Sequence, residues 1–291
     1  MGDVVKQSRR WLGALAFSFA LAASGACSRS DSAASPAATS LTVIKVAGST
    51  AVLPLVTAVA NRYMGGHAGV VVQVEGGGSR QGLARVAEGG VSIGTSDVLA
   101  APGSNLEDHR IAVVGFAAMA NRGPFNDSIR SLTMAQLRGI FTGTIHDWAE
   151  VGGTSQPIVL INRAKNSGTR AAVGAIVLGG DGFAPGAEEQ DSSALVQTSL
   201  RERVGSVSYL ALSYKHEALR TFALDGVEPT PQNIETGAYP LWSYEHMYTA
   251  GTQSDAVRAF IEYFVSPEVQ TSVVPSAGFI PIGAMQTWRD G

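Results

Sequence analysis

From residue 41 onward the chain alternates short apolar runs with stretches of helical period, and this alternation restricts the fold more than any other feature of the sequence. LTVIKVAG reads as a strand, and AVLPLVTAVANRYM follows with Val52, Leu55, Val56, Val59 and Tyr63 at helical spacing. VVVQVE predicts a second strand and SRQGLARVAEGG a short helix with Leu83 and Val86 on one face. VSIGTSD and RIAVVGFAAMAN are strand candidates, followed by helical TMAQLRGIF, the strand PIVLIN and the helix AAVGAIVLGG. GSVSYLALSY and YPLWSYEHMYT read as later strands. QSDAVRAFIEYFVSPEVQTSVV, with Val257, Phe260, Ile261 and Phe264, is the clearest late helix. Such strand–helix–strand order implies parallel sheets covered by helices. A chain of 291 residues is long for one core and suits two α/β lobes.

Residues 1–27 are set apart from this pattern. MGDVVKQSRR is a basic start, Trp11 to Ala26 carries no charge, and SGAC ends the segment in small residues. Sixteen apolar positions are too few to span a bilayer comfortably, so the segment reads as a secretory signal. Cys27 is the single cysteine, which excludes a disulfide framework. Its position resembles the lipobox of bacterial lipoproteins, in which the cysteine is lipidated, although Ser24 stands where that pattern prefers an aliphatic residue. SRRWL also resembles a twin-arginine export signal, which leaves the export route open. Residues 28–40, SRSDSAASPAATS, read as a flexible tether. Without residues 1–27 the chain keeps 18 basic and 23 acidic residues, net −5, which argues against a nucleic-acid partner. An anion site in this protein must work through local dipoles and hydrogen bonds, against the field of the whole.

Four loops carry the chemistry. AGST (47–50) places Ser49 or Thr50 where a helix N-cap belongs, ahead of backbone N–H groups with no intrahelical partner. Those groups and the helix dipole can receive an anion. EGGGS (75–79) lets the backbone approach something closely and offers Ser79 as a second N-cap; Gln81 rules out a dinucleotide fingerprint. GTSD (94–97) closes a strand, and Asp97 either caps a turn or accepts from a protonated ligand oxygen. RAKNSGTR (163–170) offers the two-pronged grip of Arg163 and the hydroxyls and N–H groups of Ser167, Gly168 and Thr169, with Lys165 and Arg170 expected at solvent. Three of these loops end a strand and begin a helix, the edge where parallel α/β sheets bind ligands.

These motifs resemble those of the bacterial phosphate-binding proteins that feed the high-affinity phosphate ABC transporter. AGSTAVLPL, EGGGSRQGL, VSIGTSD, IFTGTIHDWAEVGG, INRAKNSGTR, GSVSYLALSY, DGVEPTPQNIETGAYPL and GFIPI carry the resemblance across residues 41–283. It implies a two-lobed, periplasmic-binding-protein-like (type II) α/β fold closing on its ligand, with one lobe at 41–118 plus 243–291 and the other at 119–242. By the same resemblance phosphate is held by Thr50, the Ala51 N–H, Ser79, Asp97, Arg163, Ser167, Gly168 and Thr169, with Ser49 beside them. The resemblance implies phosphate and the permease subunits of an ABC importer as partners, an extracytoplasmic, membrane-anchored monomer, and no catalytic residue or cofactor.

Phosphate near neutral pH keeps a proton that sulfate lacks, so a fixed Asp97 carboxylate would accept from the first and repel the second. The rival classes are a binding protein for another tetrahedral oxyanion, a tethered phosphate sensor and a hydrolase. Against the last, the chain has no G-x-S-x-G, S-x-x-K, H-E-x-x-H or G-K-[ST], and His67, His109, His146, His216 and His246 lie away from the four loops in sequence. Trp148, Tyr209, Tyr214, Trp242 and Tyr248 read as packing residues, and GAEEQDSS (186–193) as a solvated loop.

Overall fold

A computed structural model describes residues 41–289; the expected signal (1–27), tether (28–40) and Cys27 lie outside the described residues. The strands are β1 (Thr42–Gly48), β2 (Val70–Glu75), β3 (Ile93–Ser96), β4 (Leu106–Asn121), β5 (Ser131–Leu132), β6 (Val159–Arg163), β7 (Glu188–Gln190), β8 (Ser206–Ala211), β9 (Leu219–Thr221), β10 (Ala223–Leu224) and β11 (Trp242–Ala250). The main helices are α1 (Leu53–Gly66), α2 (Ser79–Ala87), α3 (Met134–Thr142), α4 (Gly168–Leu178), α5 (Ser193–Glu202), α6 (Pro231–Glu235) and α7 (Asp255–Phe264).

Nine strands form one mixed sheet in the order β2-β1-β3-β11-β4-β8-β6-β7, with β9 also on β4. β1 runs parallel to β2 and β3, and β6 runs parallel to β7 and β8. The antiparallel strand β4 joins the two sets. Its residues Leu106–Gly115 pair with β11, and Phe116–Ala120 pair with β8. From Ile111 to Asn121 every β4 residue is buried, which explains why the run IAVVGFAAMA lacks polar alternation: both of its faces are covered. Where β4 changes partner, Gly115 leaves room for neighbours; a Cβ there would meet Ile234 Cδ1 at 2.4 Å and Leu212 Cδ1 at 2.7 Å.

Local sequence explains the helices that cover this sheet. α1 buries Leu55, Val56, Val59, Ala60 and Tyr63, and Pro54 is tolerated because its missing N–H lies in the first turn. Thr133 caps α3 through a reciprocal capping box with Gln136, and Gly143 at φ 74° ends the helix. Ser254 caps α7, whose buried face is Val257, Phe260, Ile261 and Phe264, as its periodicity predicts. Burying a side chain such as Phe260 stabilises the fold by about 1.5–3 kcal/mol.

The structure departs from sequence expectation at several points. The late helix read over 253–274 stops at Phe264, and Val269–Val273 form a separate π-helical turn. β4 begins at Leu106, not Arg110, because the polar LEDH segment pairs through its backbone with Tyr248–Ala250 and Met247 of β11. GAEEQDSS is not a solvated loop throughout: Glu188–Gln190 form β7, parallel to Ile161–Arg163. Helix α1 starts at Leu53 with Val52 as its N-cap, so neither Ser49 nor Thr50 caps it.

Candidate functional site

All four singled-out loops sit at C-terminal strand ends. Thr50 follows β1, Ser79 opens α2 after β2, Asp97 directly follows β3, and Arg163 ends β6 ahead of α4. A fifth segment joins them, since Ser193 opens α5 just after β7. The parallel pairing of β1 with β2 and β3, and of β6 with β7, delivers these side chains side by side.

One cluster is organised by Arg163, whose side chain is buried although, among the described residues, no carboxylate bonds it. Its Nη2 donates to Thr50 Oγ1 (2.9 Å) and to the Asp191 carbonyl (3.3 Å), its Nη1 to Ser193 Oγ (3.1 Å), and its Nε to the Gln190 carbonyl (3.3 Å). Ser193 N–H also donates to Thr50 Oγ1 at 3.2 Å. Burial lowers the pKa of Arg163, and the charge of Asp97 opposes that shift. The guanidinium stays the cation of the site, because arginine does not deprotonate in proteins.

The second cluster surrounds Asp97, which is fully buried. Its Oδ2 accepts from Thr169 Oγ1 at 2.5 Å, its Oδ1 accepts a longer bond from Ser79 Oγ at 3.4 Å, and its own N–H donates to Ser79 Oγ at 3.1 Å. Ser243 Oγ donates to the Asp97 carbonyl at 2.6 Å. Asp97 therefore does not cap a turn with its carboxyl; that carboxyl faces hydroxyls from two other loops. Ser79 is the first residue of α2, not its N-cap, a place taken by Gly78 at φ 92°. Gly168 lies so close to Ser79 that a Cβ would stand 2.1 Å from Ser79 Oγ and 3.1 Å from Asp97 Cβ. Asn166 Nδ2 donates to the Gly77 carbonyl at 2.7 Å, a further tie between the RAKNSGTR and EGGGS loops.

The other expected residues are nearby but engaged locally. Ser49 Oγ accepts from the Ala51 N–H at 3.0 Å, so that N–H is turned onto its own loop. Ser167 is the N-cap of α4, its hydroxyl accepting from the Arg170 N–H at 3.2 Å. Arg170 is not at solvent: its Nη1 reaches the Arg163 carbonyl at 2.5 Å and Glu189 at 2.6 Å.

Three residues escaped sequence reasoning. Ser193 joins Thr50 and Arg163; the only signal for it was the Asp-Ser-Ser run ahead of an apolar helical stretch. Tyr214 is more than a packing residue, because its OH donates to the Thr50 carbonyl at 2.7 Å; burial above all pushes its pKa up to about 12. Glu245 on β11 is fully buried beside Asp97. Burial first, and then the charge of Asp97, hold its carboxyl well above the ordinary range. Trp148, Tyr209, Trp242 and Tyr248 are buried in packed surroundings. Among the described residues, no group of three or more His, Cys, Asp or Glu side chains is placed to hold a metal ion.

Chemically, the arrangement offers one cation, the Asp97 carboxyl with Glu245 beside it, and several hydroxyls within a buried junction of five strand ends. Comparison with known proteins gives it a context. A PBP superfamily domain model matches residues 33–268. The phosphate-binding protein PstS of Bacillus subtilis (strain 168) is 38% identical over 253 residues, covering 85% of this chain and 83% of the relative. PstS of Pseudomonas aeruginosa PAO1 is 26% identical over 265 residues, covering 81% and 82%. A Clostridium perfringens protein whose crystal structure holds bound phosphate superposes with a TM-score of 0.78 at 26% identity, covering 82% of this chain and 99% of the other. An ABC-type phosphate transport receptor from Vibrio cholerae shares the fold, with a TM-score of 0.67 at 24% identity and coverage of 81% and 99%. The periplasmic-binding-protein-like α/β fold expected from the motifs is the fold of these structures. On the strength of the domain match and of the kinship along most of its length, this chain belongs to the PBP superfamily and, within it, to the family of the phosphate-binding proteins PstS.

Proposed function

We propose that the protein binds inorganic phosphate outside the cytoplasm and delivers it to the permease subunits of an ABC importer. The observation that carries this reading is the convergence of buried Arg163, Asp97, Thr50, Ser79 and Thr169 from four strand ends. Arg163, Thr50 and Ser193 supply charge-assisted and hydroxyl donors on one side of the anion, and the Gly168 backbone supplies one on the other, where the Ser79 and Thr169 hydroxyls are given to Asp97. Asp97 accepts the proton that phosphate keeps. The loops before residue 118 and the RAKNSGTR loop belong to the two lobes, 41–118 plus 243–291 and 119–242, which close around the anion.

Charge-assisted hydrogen bonds are worth about 1.5–3 kcal/mol each, but desolvation and closure cancel most of their sum. Binding at micromolar affinity or tighter, about −8 kcal/mol, is the expected net. Sulfate would face Asp97 with a bare oxygen. One unmet, charged acceptor costs a few kcal/mol, or about a hundredfold in affinity. Cleavage near Cys27 and its lipidation would leave a monomer on a tether at the membrane surface.

Isothermal titration of the purified protein with phosphate and with sulfate tests the reading. Saturable phosphate binding at micromolar or lower concentration, with sulfate at least about a hundredfold weaker, is expected. No binding of phosphate at millimolar concentration, or a preference for sulfate, refutes it. Arsenate shares the protonation of phosphate and is expected to compete.

A further inference from the structure

Glu245 is an odd side chain for its position. It lies in the middle of β11, fully buried, and among the described residues no donor reaches either of its carboxyl oxygens. The pairing of β11 with β4 shifts register between Glu245 and His246, leaving Ile111 of β4 unpaired beside it. His246 pairs with Ser96 in antiparallel register, which brings Glu245 alongside Asp97, close enough for the charge of Asp97 to act on its carboxyl. Two carboxylates cannot bond each other; one proton between them can. Its place is decided by the donors around the pair. Asp97 receives Thr169 and Ser79 hydroxyls, which favour its ionised form, whereas Glu245 receives none and keeps the proton.

A carboxylate offers about four acceptor positions. On Asp97, Thr169 takes one, Ser79 a second and the Glu245 O–H a third. With a Glu245 O–H in that third position, a single one is left for a ligand's proton. Building on the phosphate reading above, we propose that Glu245 is a positioning residue for anion specificity: its neutral carboxyl donates to Asp97 from the side away from the ligand, holding Asp97 as a charged acceptor with one site open for the ligand's proton.

Removing the donor loosens this arrangement. In E245L, Asp97 loses a bond that favours its charged form and becomes able to carry the proton itself, and a protonated Asp97 can donate to sulfate. The phosphate-over-sulfate affinity ratio at pH 6 is expected to fall about tenfold or more. E245Q restores a donor of the same shape and is expected to recover the ratio to within about threefold of the parent. A second readout needs no ligand. The groups facing Glu245 are Asp97 after β3 and Tyr214 after β8, with Arg163 acting on both; opposite it on β4 stands Ala112. Tyr214 does not titrate below pH 10, so it stays silent in the range used. Because the folded state holds the Glu245 proton above the ordinary carboxyl range, the stability it contributes is complete below the unfolded value. It is lost as pH rises through the folded one. The melting temperature of the parent is therefore expected to fall more steeply from pH 5 to pH 9 than that of E245Q.

Titration calorimetry and thermal melting on the parent, E245L and E245Q decide the matter. An E245L protein with the parental ratio overturns the proposal, as does an E245Q protein whose ratio falls as far as that of E245L. Should E245L not fold, E245Q still tests the idea. Phosphate and sulfate both binding it about tenfold more tightly than the parent means that Glu245 was ionised, and the proposal fails. Melting curves of parent and E245Q that respond identically to pH overturn it as well. A parent protein that binds no phosphate would instead defeat the underlying functional reading.

Discussion

Replacing Gly168 by alanine places a methyl group where two loops touch. The new Cβ would stand 2.1 Å from Ser79 Oγ and 2.7 Å from Ser79 Cβ, with Asp97 Cβ at 3.1 Å. Carbon atoms rest comfortably at about 3.5–4.0 Å. Rotating the Ser79 hydroxyl away relieves the first contact but not the second, so the start of α4 must withdraw by about 1 Å. Overpacking of this kind costs about 1–3 kcal/mol. At about 1.4 kcal/mol per factor of ten, phosphate affinity is expected to drop roughly 5- to 150-fold. Alanine is a better helix former than glycine, and Gly168 has no left-handed backbone to lose. If the loops part when the lobes open, the clash exists only in the closed protein. Melting of the phosphate-free variant should then stay within about 3 °C of the parent, while the stabilisation added by phosphate shrinks. Titration calorimetry paired with thermal melting, each with and without phosphate, gives both numbers. An affinity within twofold of the parent would refute the argument, and so would a phosphate-free melt lowered as much as the phosphate-bound one.

Two further substitutions probe the site from other directions. In Asp97→Asn the amide can donate to a proton-free oxygen, so the preference for phosphate over sulfate is expected to shrink by about tenfold or more, measured by competition calorimetry; an unchanged preference rules out the carboxylate as the selecting group. Ser193→Ala leaves Arg163 Nη1 without its 3.1 Å partner but spares the Ser193 N–H to Thr50 bond. Phosphate binding, read by the same assay, is expected to weaken by about 3- to 10-fold, and no change would place Ser193 outside the working site.

The parts of this molecule that follow local rules were readable in one dimension. The faces of α1 and α7 repeat every three to four residues, and β1, β2 and β6 end in loops rich in glycine and hydroxyls. Their placement at one sheet edge followed from the strand–helix alternation. What could not be read depends on pairing across the chain. Glu188–Gln190 has no apolar pattern and becomes a strand only because β6 offers it an edge, which then carries Ser193 to Arg163. Glu245 reads as one polar residue in an aromatic strand; only the register of β11 against β3 and the register shift beside it reveal its neighbour. The hydroxyls of Ser49 and Ser79 were assigned as helix caps by residue type. Their real partners are the Ala51 N–H in the first case and the Asp97 backbone and carboxyl in the second.

The strand shared by both halves of the sheet has a mechanical meaning. β4 gives Leu106–Gly115 to β11 and Phe116–Ala120 to β8, so each half borrows part of its interior from the same continuous backbone. Neither half can be peeled off as an independent unit without stripping hydrogen bonds from the other. Heat or denaturant should therefore dismantle both together in one cooperative step, and a protease that nicks a surface loop should not release a folded fragment. β4 is in this sense a common girder beneath both halves of the sheet.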